Sequence, residues 1–288
     1  MTGPEIRAFF DEPTNTVSYL LWDPATHEAA VIDPVLDFEP ASARISTASA
    51  DAMLAAAQEL NLIIRWLLET HAHADHLSAA GYLKAKTGAP VAIGARIGAV
   101  QQIFRPRFGI EGEADGDGFD RLLADGERIA LGGLEIEVLA TPGHTPACVS
   151  YRIGDAVFVG DTLFMPDYGT ARADFPGGDA RQLFRSIRRL LSLPDATRLF
   201  LCHDYKAPGR DRFVTETTVA AQRAGNVHVR DGTAEDDFVA MREARDRTLA
   251  APRLIMPSIQ VNMRGGRLPE PEENGTRYLK IPLTTGRG

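Results

Sequence analysis

Short apolar runs broken by glycine, proline and aspartate recur along the chain, and their spacing predicts its elements. Val17 to Trp22 and Ala29 to Asp33 pattern as two paired strands, separated by the turn-rich Asp23-Pro24-Ala25-Thr26-His27. Ala48 to Leu60 carries apolar residues at helical spacing with Ser49 as its N-cap, and Ile63 to Leu68 reads as a buried strand. Leu77 to Thr87 predicts a helix ended by Gly88, Val91 to Ile93 a strand, and Ile129 to Leu139 a hairpin turning at Gly132-Gly133. The cluster from Gly109 to Gly118 reads as an exposed loop. A second hairpin joins Cys148 to Ile153 with Ala156 to Val159 through Gly154-Asp155; an amphipathic helix follows at Asp179 to Leu191, then a strand at Arg198 to Cys202. Arg212 to Ala224 and Ala234 to Leu249 predict helices, and the tail from Pro252 is rich in proline and glycine. Strand and helix alternate as in a layered α/β sandwich, with no repeat and no interdomain linker.

Composition narrows the class. At 288 residues, 44% apolar and 24% charged, the chain has material for a sizeable core and the balance of a soluble globular protein. Its longest apolar stretches, such as Leu62 to Leu68, are too short for a bilayer, and the start lacks a basic region followed by an apolar one. The expectation is a cytoplasmic protein with no membrane partner. A formal charge of -8 argues against nucleic acid as a partner, which wants a basic footprint. Cys148 and Cys202 lack metal-ligand spacing and read as buried, inert thiols, with strand alternation aiming Cys202 away from the site.

The candidate chemistry begins where the strand Ile63 to Leu68 runs into Thr70-His71-Ala72-His73-Ala74-Asp75-His76. Packing gives no reason to collect imidazoles and a carboxylate at a strand end, whereas metal binding does. In extended chain, residues two apart point the same way, so His71 and His73 are expected to converge on one ion, with Asp75 and His76 at an adjacent position. Three further groups each follow a predicted strand: Pro142-Gly143-His144-Thr145, Gly160-Asp161-Thr162 and Cys202-His203-Asp204-Tyr205. Loops at one sheet edge hold catalytic groups rigidly yet open to substrate. These donors fit either two ions bridged by Asp161, generating hydroxide for hydrolysis, or one ion on two imidazoles and one carboxylate with three open positions for O2 chemistry. His27 and His228 lack such a cluster and read as structural or exposed.

The order His-x-His-x-Asp-His, then His, Asp and His, resembles the metallo-β-lactamase superfamily over residues 10 to 205, particularly its glyoxalase II and persulfide dioxygenase branches. The stretch from Phe158 to Ala180, the element Cys202 to Tyr205 and the segment Asn262-Met263-Arg264-Gly265-Gly266 are similar to the persulfide dioxygenases, including bacterial type II members. The resemblance implies a single αββα four-layer domain over 1–288, with a helical and proline/glycine-rich extension from about residue 206. It implies one Fe(II) per chain on His71, His144 and Asp161. His73, Asp75, His76 and His203 then orient ligands and water or hold a second metal. Asp75, His203 and Tyr205 are the catalytic candidates, and Thr145, Arg172, Tyr205, Asn262 and Arg264 the substrate contacts. Where the family's animal members and glyoxalase II have Cys-Gly-Arg, this chain has Thr170-Ala171-Arg172, so no role of that cysteine carries over.

The activity so implied is oxidation of glutathione persulfide by O2 and water to sulfite and glutathione. The alternative is a dinuclear hydrolase of glutathione thioesters, and the non-enzyme alternative a metal-binding or redox-sensing module. Closed structural sites favour cysteine, which this donor set lacks. Assembly is left open, a homodimer being one option.

Overall fold

The computed structural model describes residues 3–283. In chain order the elements are β1 (Glu5–Asp11), β2 (Thr16–Trp22), β3 (Glu28–Ile32), β4 (Val35–Glu39), β5 (Arg44–Ser46), α1 (Ala48–Glu59), β6 (Ile63–Leu68), β7 (Leu77–Ser78), α2 (Ala80–Thr87), β8 (Val91–Gly94), α3 (Ile97–Phe108) and β9 (Arg121–Leu123). The second half continues with β10 (Arg128–Leu131), β11 (Leu134–Ala140), β12 (Val149–Ile153), β13 (Ala156–Phe158), α4 (Ala180–Leu191), β14 (Arg198–Phe200), β15 (Glu216–Thr218), α5 (Val219–Gly225), α6 (Glu235–Asp246) and α7 (Ile255–Asn262). Two six-stranded sheets result, ordered β1-β2-β3-β6-β8-β9 and β10-β11-β12-β13-β14-β15, with a small sheet β5-β4-β7 beside the first.

Strand alternation divides the apolar residues into layers. Val17, Tyr19 and Leu21 face Val138, Tyr151 and Phe158 between the sheets, while Leu20 and Val31 turn outward onto Met53 of α1 and Leu83 of α2. On the far side, Leu183, Ile187 and Leu190 of α4 pack on Val157 and Leu199, joined by Val219 and Phe238. The four-layer α/β sandwich is therefore the observed fold, and its core runs between and outside both sheets. Among the described residues no helix is long and apolar enough to cross a membrane.

Several local expectations change. Ser49 is not the cap of α1; its hydroxyl donates to Asp37 Oδ1 at 2.6 Å, and Thr47 is the N-cap residue. Leu77 and Ser78 pair with β4 before α2 begins, so that helix is shorter than its apolar pattern. Arg212 to Ala224 is not one helix: Glu216–Thr218 forms the edge strand β15, and the Thr218 side chain caps the short α5. The apolar pattern gave no sign of β1, β4, β5, β9, α3 or α7. The two helices carry Pro106 and Pro257 respectively, residues that lower helix propensity and mask the pattern.

His228 behaves as the sequence suggests, as a structural residue, and its Nδ1 accepts from Thr170 N at 3.1 Å. Burial, then the charges of Arg242 and Arg245, lowers its pKa from 6.5 to about 4. The folded protein thus needs the neutral ring. Stability from this group is full above pH 6.5 and is lost as pH falls towards about 4, because the unfolded chain takes up the proton first. Calorimetric melting across that window is expected to show a smaller acid-induced drop for His228→Asn than for the wild type.

Candidate metal centre

Four strand ends converge at one edge of the sandwich. β6 leads into Thr70 to His76, β11 into Thr141 to His144, β13 into Asp161, and β14 into His203. The Pro142-Gly143-His144 turn is held on α4: Ser186 Oγ donates to the Pro142 carbonyl at 2.6 Å, and Asp179 N donates to the Gly143 carbonyl at 2.9 Å. Gly143, at φ 142°, lies so close to α4 that a Cβ would sit 2.3 Å from Leu183. Only glycine allows that approach.

Four of the five imidazoles are anchored through Nδ1, and the anchor dictates the tautomer. His144 Nδ1 donates to the Arg172 carbonyl at 2.8 Å, and His203 Nδ1 to the Asn15 carbonyl at 3.1 Å. Thr70 Oγ1 gives its only proton to Asp33 Oδ2 at 2.8 Å, so at 3.0 Å it must accept from His71 Nδ1. His76 Nδ1 lies 3.2 Å from Asp75 Oδ2, and His73 Nε2 lies 3.0 Å from Asp33 Oδ1. Nε2 of His71, His76 and His203 and both ring nitrogens of His73 are buried without an aligned hydrogen-bond partner. Such unpaired atoms are costly unless something coordinates them.

The donors fall into groups whose ligand atoms lie within 4.8 Å of one another: His71 with His144 and Asp161, and His73 with Asp75 and His76. Asp161 Oδ2 is 3.9 Å from His71 Nε2 and 3.6 Å from His144 Nε2. The expected convergence of His71 and His73 on one ion is replaced by this division, because the residues form a loop rather than extended chain and His73 is drawn to Asp33. Burial, then the neighbouring His73, pushes His71 well below its usual range, leaving a neutral ring with a lone pair. Burial opposes charge on His203, yet Asp161 and Asp75 raise it to about 9. Burial likewise opposes the Asp161 charge, but His203, His71 and His144 hold its carboxyl below the usual carboxylate range. This field favours positive charge, and the donor set of imidazole and carboxylate suits a first-row divalent ion.

A profile for the Metallo-beta-lactamase superfamily matches residues 11–203. The chain belongs to that superfamily. It is 57% identical over 290 residues to a probable metallo-hydrolase of Burkholderia pseudomallei, covering 96% of this chain and 98% of the relative. It is 46% identical to glyoxylase B2 of Dictyostelium discoideum, with 97% of each chain covered. Human mitochondrial persulfide dioxygenase ETHE1 is 30% identical, covering 91% of this chain and 88% of its own. The crystal structure of ETHE1 from Myxococcus xanthus superposes with a TM-score of 0.74 at 33% identity, covering 91% of this chain and all of the other.

Within this superfamily fold, a cavity of about 340 Å³ opens over Asp75, His144 and Asp161, walled by Phe164, Tyr168 and Tyr205. Tyr205 stacks on the His203 ring at 5.4 Å between centroids. Arg172 also lines the cavity, but its guanidinium is forked onto Asp174 at 2.5 and 2.7 Å. The other expected substrate contacts, Thr145, Asn262 and Arg264, lie off the cavity wall. Thr145 is fully buried and bonds Cys148 Sγ at 3.1 Å, and Arg264 donates to the Gln260 carbonyl away from the cavity wall. Asn262 spends its amide on protein: Nδ2 donates to the His73 and His76 carbonyls at 2.8 and 2.7 Å, and Oδ1 accepts from Ser78 N at 2.7 Å. It is the clamp of the histidine loop. Arg264 and Gly265 lead into Gly266 (φ 74°), where the chain passes against Gly81 too tightly for a side chain.

Sequence reading missed Asp33 and Glu69, both buried beside His73. The available signal was a carboxylate closing an apolar strand in each case. Both cysteines are buried, and burial raises Cys148 to about 12, in keeping with inert thiols. Cys202 nevertheless does not point away: its Sγ approaches Asp33 Oδ2 at 3.8 Å, within the donor cluster of His73 and His203. Asn262→Ala is expected to cost about 3 kcal/mol, since three backbone groups lose their partner. It should also weaken metal retention roughly 10- to 100-fold. Thermal melting and chelator competition measure the two effects separately.

Proposed function

We propose that the chain is a glutathione persulfide dioxygenase using one Fe(II) on His71, His144 and Asp161. The observation that carries this reading is the grouping of two imidazoles and one carboxylate beneath an open cavity, the donor set that suits a non-haem iron centre with free positions. Similarity to persulfide dioxygenase ETHE1 across most of both chains supports it. Ferrous iron at these residues supplies the redox chemistry that joins O2 to the terminal sulfur. The balance is glutathione persulfide plus O2 plus water giving glutathione and sulfurous acid, which ionises to sulfite.

The protein's own residues do the positioning. The Arg172 carbonyl and Thr70 hydroxyl hold the His144 and His71 rings so that both Nε2 atoms face Asp161. Phe164 and Tyr168 shield the cavity from water, and Tyr205 keeps its phenol proton, raised by burial and by Asp75 and Asp161. Tyr205 can therefore donate a hydrogen bond to the substrate's reacting end. Asp75 and His203, an ion pair at 3.4 Å beside Asp161, orient water and the ligand carboxylate.

A second reading, a dinuclear hydrolase of glutathione thioesters, is favoured by the second donor group at His73, Asp75 and His76. The names metallo-hydrolase and glyoxylase B2 among the relatives support it. O2 uptake with fresh glutathione persulfide, run beside thioester hydrolysis and metal analysis, separates the two. The dioxygenase reading expects uptake, sulfite and about one iron per chain. His144→Ala should lose both iron and uptake, and full activity in that variant would overturn the ligand set. Thioester cleavage with about two metals and no uptake would replace the reading with the hydrolase.

A further inference from the structure

The aromatic wall of the cavity stands on two separate loops. Tyr168 lies in the loop after β13, where its N–H donates to the Met165 carbonyl at 2.8 Å, and Tyr205 lies in the loop after β14. Their ring centroids are 5.2 Å apart. Tyr205 is an exposed residue, so burial does not fix its ring. Its backbone is held by Asp204, whose Oδ1 accepts from Lys206 N at 3.1 Å and whose Oδ2 accepts from Val214 N at 2.7 Å. Lys206 adopts φ 55°, a left-handed conformation that a non-glycine residue keeps when its surroundings enforce it.

Arg210 joins the two loops. Its Nε and Nη2 donate to Asp167 at 2.7 and 3.2 Å, its Nη1 and Nη2 donate to the two oxygens of Asp204, and Nη1 also donates to the Arg212 carbonyl at 2.9 Å. Those five bonds use all five guanidinium protons. Asp167 precedes Tyr168, Asp204 precedes Tyr205, and none of the three charged residues lines the cavity. An isolated surface ion pair contributes little, but a fork saturated on two carboxylates fixes their separation and orientation.

We propose that Arg210 is a positioning residue that staples the two loops and thereby sets the Tyr205 hydroxyl over the metal donors. The inference rests on the hydrogen bond from Tyr205 to the substrate's reacting end in the proposed function. Lysine carries the same charge, but its donors radiate from one point and cannot reproduce the fork on both carboxylates. With the staple released, Asp204 still accepts from Lys206 N and Val214 N, while the loop of Tyr168 is no longer tied to that of Tyr205. The phenol then leaves the reacting end less well oriented. His203 keeps its own anchor on the Asn15 carbonyl, so the metal donors stay in place.

The test compares Arg210→Lys with the wild type in the full-length, iron-loaded protein, and repeats the comparison in a Tyr205→Phe background, which keeps the ring and removes the hydroxyl. In Arg210→Lys, kcat for O2 uptake with glutathione persulfide is expected to fall about tenfold, the loss of one oriented hydrogen bond, with KM within about twofold and iron content unchanged. In the Tyr205→Phe background the same substitution should cost less than about twofold, since both residues act through one hydroxyl. Asp167→Asn removes only the exposed arm of the staple and serves where Arg210→Lys fails to fold; it should lower kcat less, and again not in the Tyr205→Phe background. Equal losses in both backgrounds, no loss in either, or a loss that follows iron content would overturn the assignment while leaving the dioxygenase standing. Should the wild type cleave a glutathione thioester without O2 uptake, the dioxygenase reading fails. The same four-way comparison on thioester cleavage then decides Arg210, a loss confined to the Tyr205 background supporting it and equal losses overturning it.

Discussion

The carboxylate of Asp33 is the contact on which the centre depends. It accepts from Thr70 N at 2.7 Å and Thr70 Oγ1 at 2.8 Å, lies 3.0 Å from His73 Nε2, and meets Cys202 Sγ at 3.8 Å. One buried charge at the end of β3 thus ties together the exits of β6 and β14, which belong to different sheets. Burying it unpaired would cost several kcal/mol, and burial does oppose its ionisation. His73 and His71 nevertheless keep its pKa below the usual value. The arrangement is mutual: Asp33 fixes the orientation of Thr70 and His73, and Thr70 fixes His71.

A second buried pair plays the same part on the other flank. Asp246 accepts from Arg242 and from Ala173 N at 2.8 Å, while Arg242 donates to the Thr170 carbonyl at 3.3 Å. The loop between them carries the Arg172 carbonyl that orients His144. The helix α6, outside the matched superfamily region, therefore reaches the centre through three short contacts. Removing either partner would strand the other charge, the costliest outcome for a buried pair.

What the sequence disclosed follows from how local each signal is. Ile63 to Leu68 and Asp179 to Leu191 carry their own periodicity and turn chemistry, so strand β6 and helix α4 with its Asp179 cap were legible. The ligand-type residues were legible too, because polar clusters at strand ends contradict packing. Edge strand β1, half-exposed and reading EIRAFFD, has no buried face strong enough to announce it. Asp33 and Glu69 each look like an ordinary strand-terminal acid; only the pairing of β3 with β6 brings both to His73. Which arginine staples the aromatic wall is likewise a tertiary fact, since Arg210 meets Asp167 from 43 residues away.

The donors also differ in when they exist. His71, His73, Asp75 and His76 follow a strand of the first sheet, His144, Asp161 and His203 follow strands of the second, and the clamp Asn262 comes from near the chain's end. Synthesis at about 5–20 residues per second separates His71 from Asn262 by roughly 10 to 40 s. Until Asp161 is made, His71 lacks the two residues that complete its group, while His73, Asp75 and His76 are together before the clamp that holds their loop. A nascent chain offers metal ions an exposed histidine cluster before it offers a selective pocket. Choice of ion is thus a property of the finished sandwich, imposed late, when the second sheet and α7 close on ligands made long before.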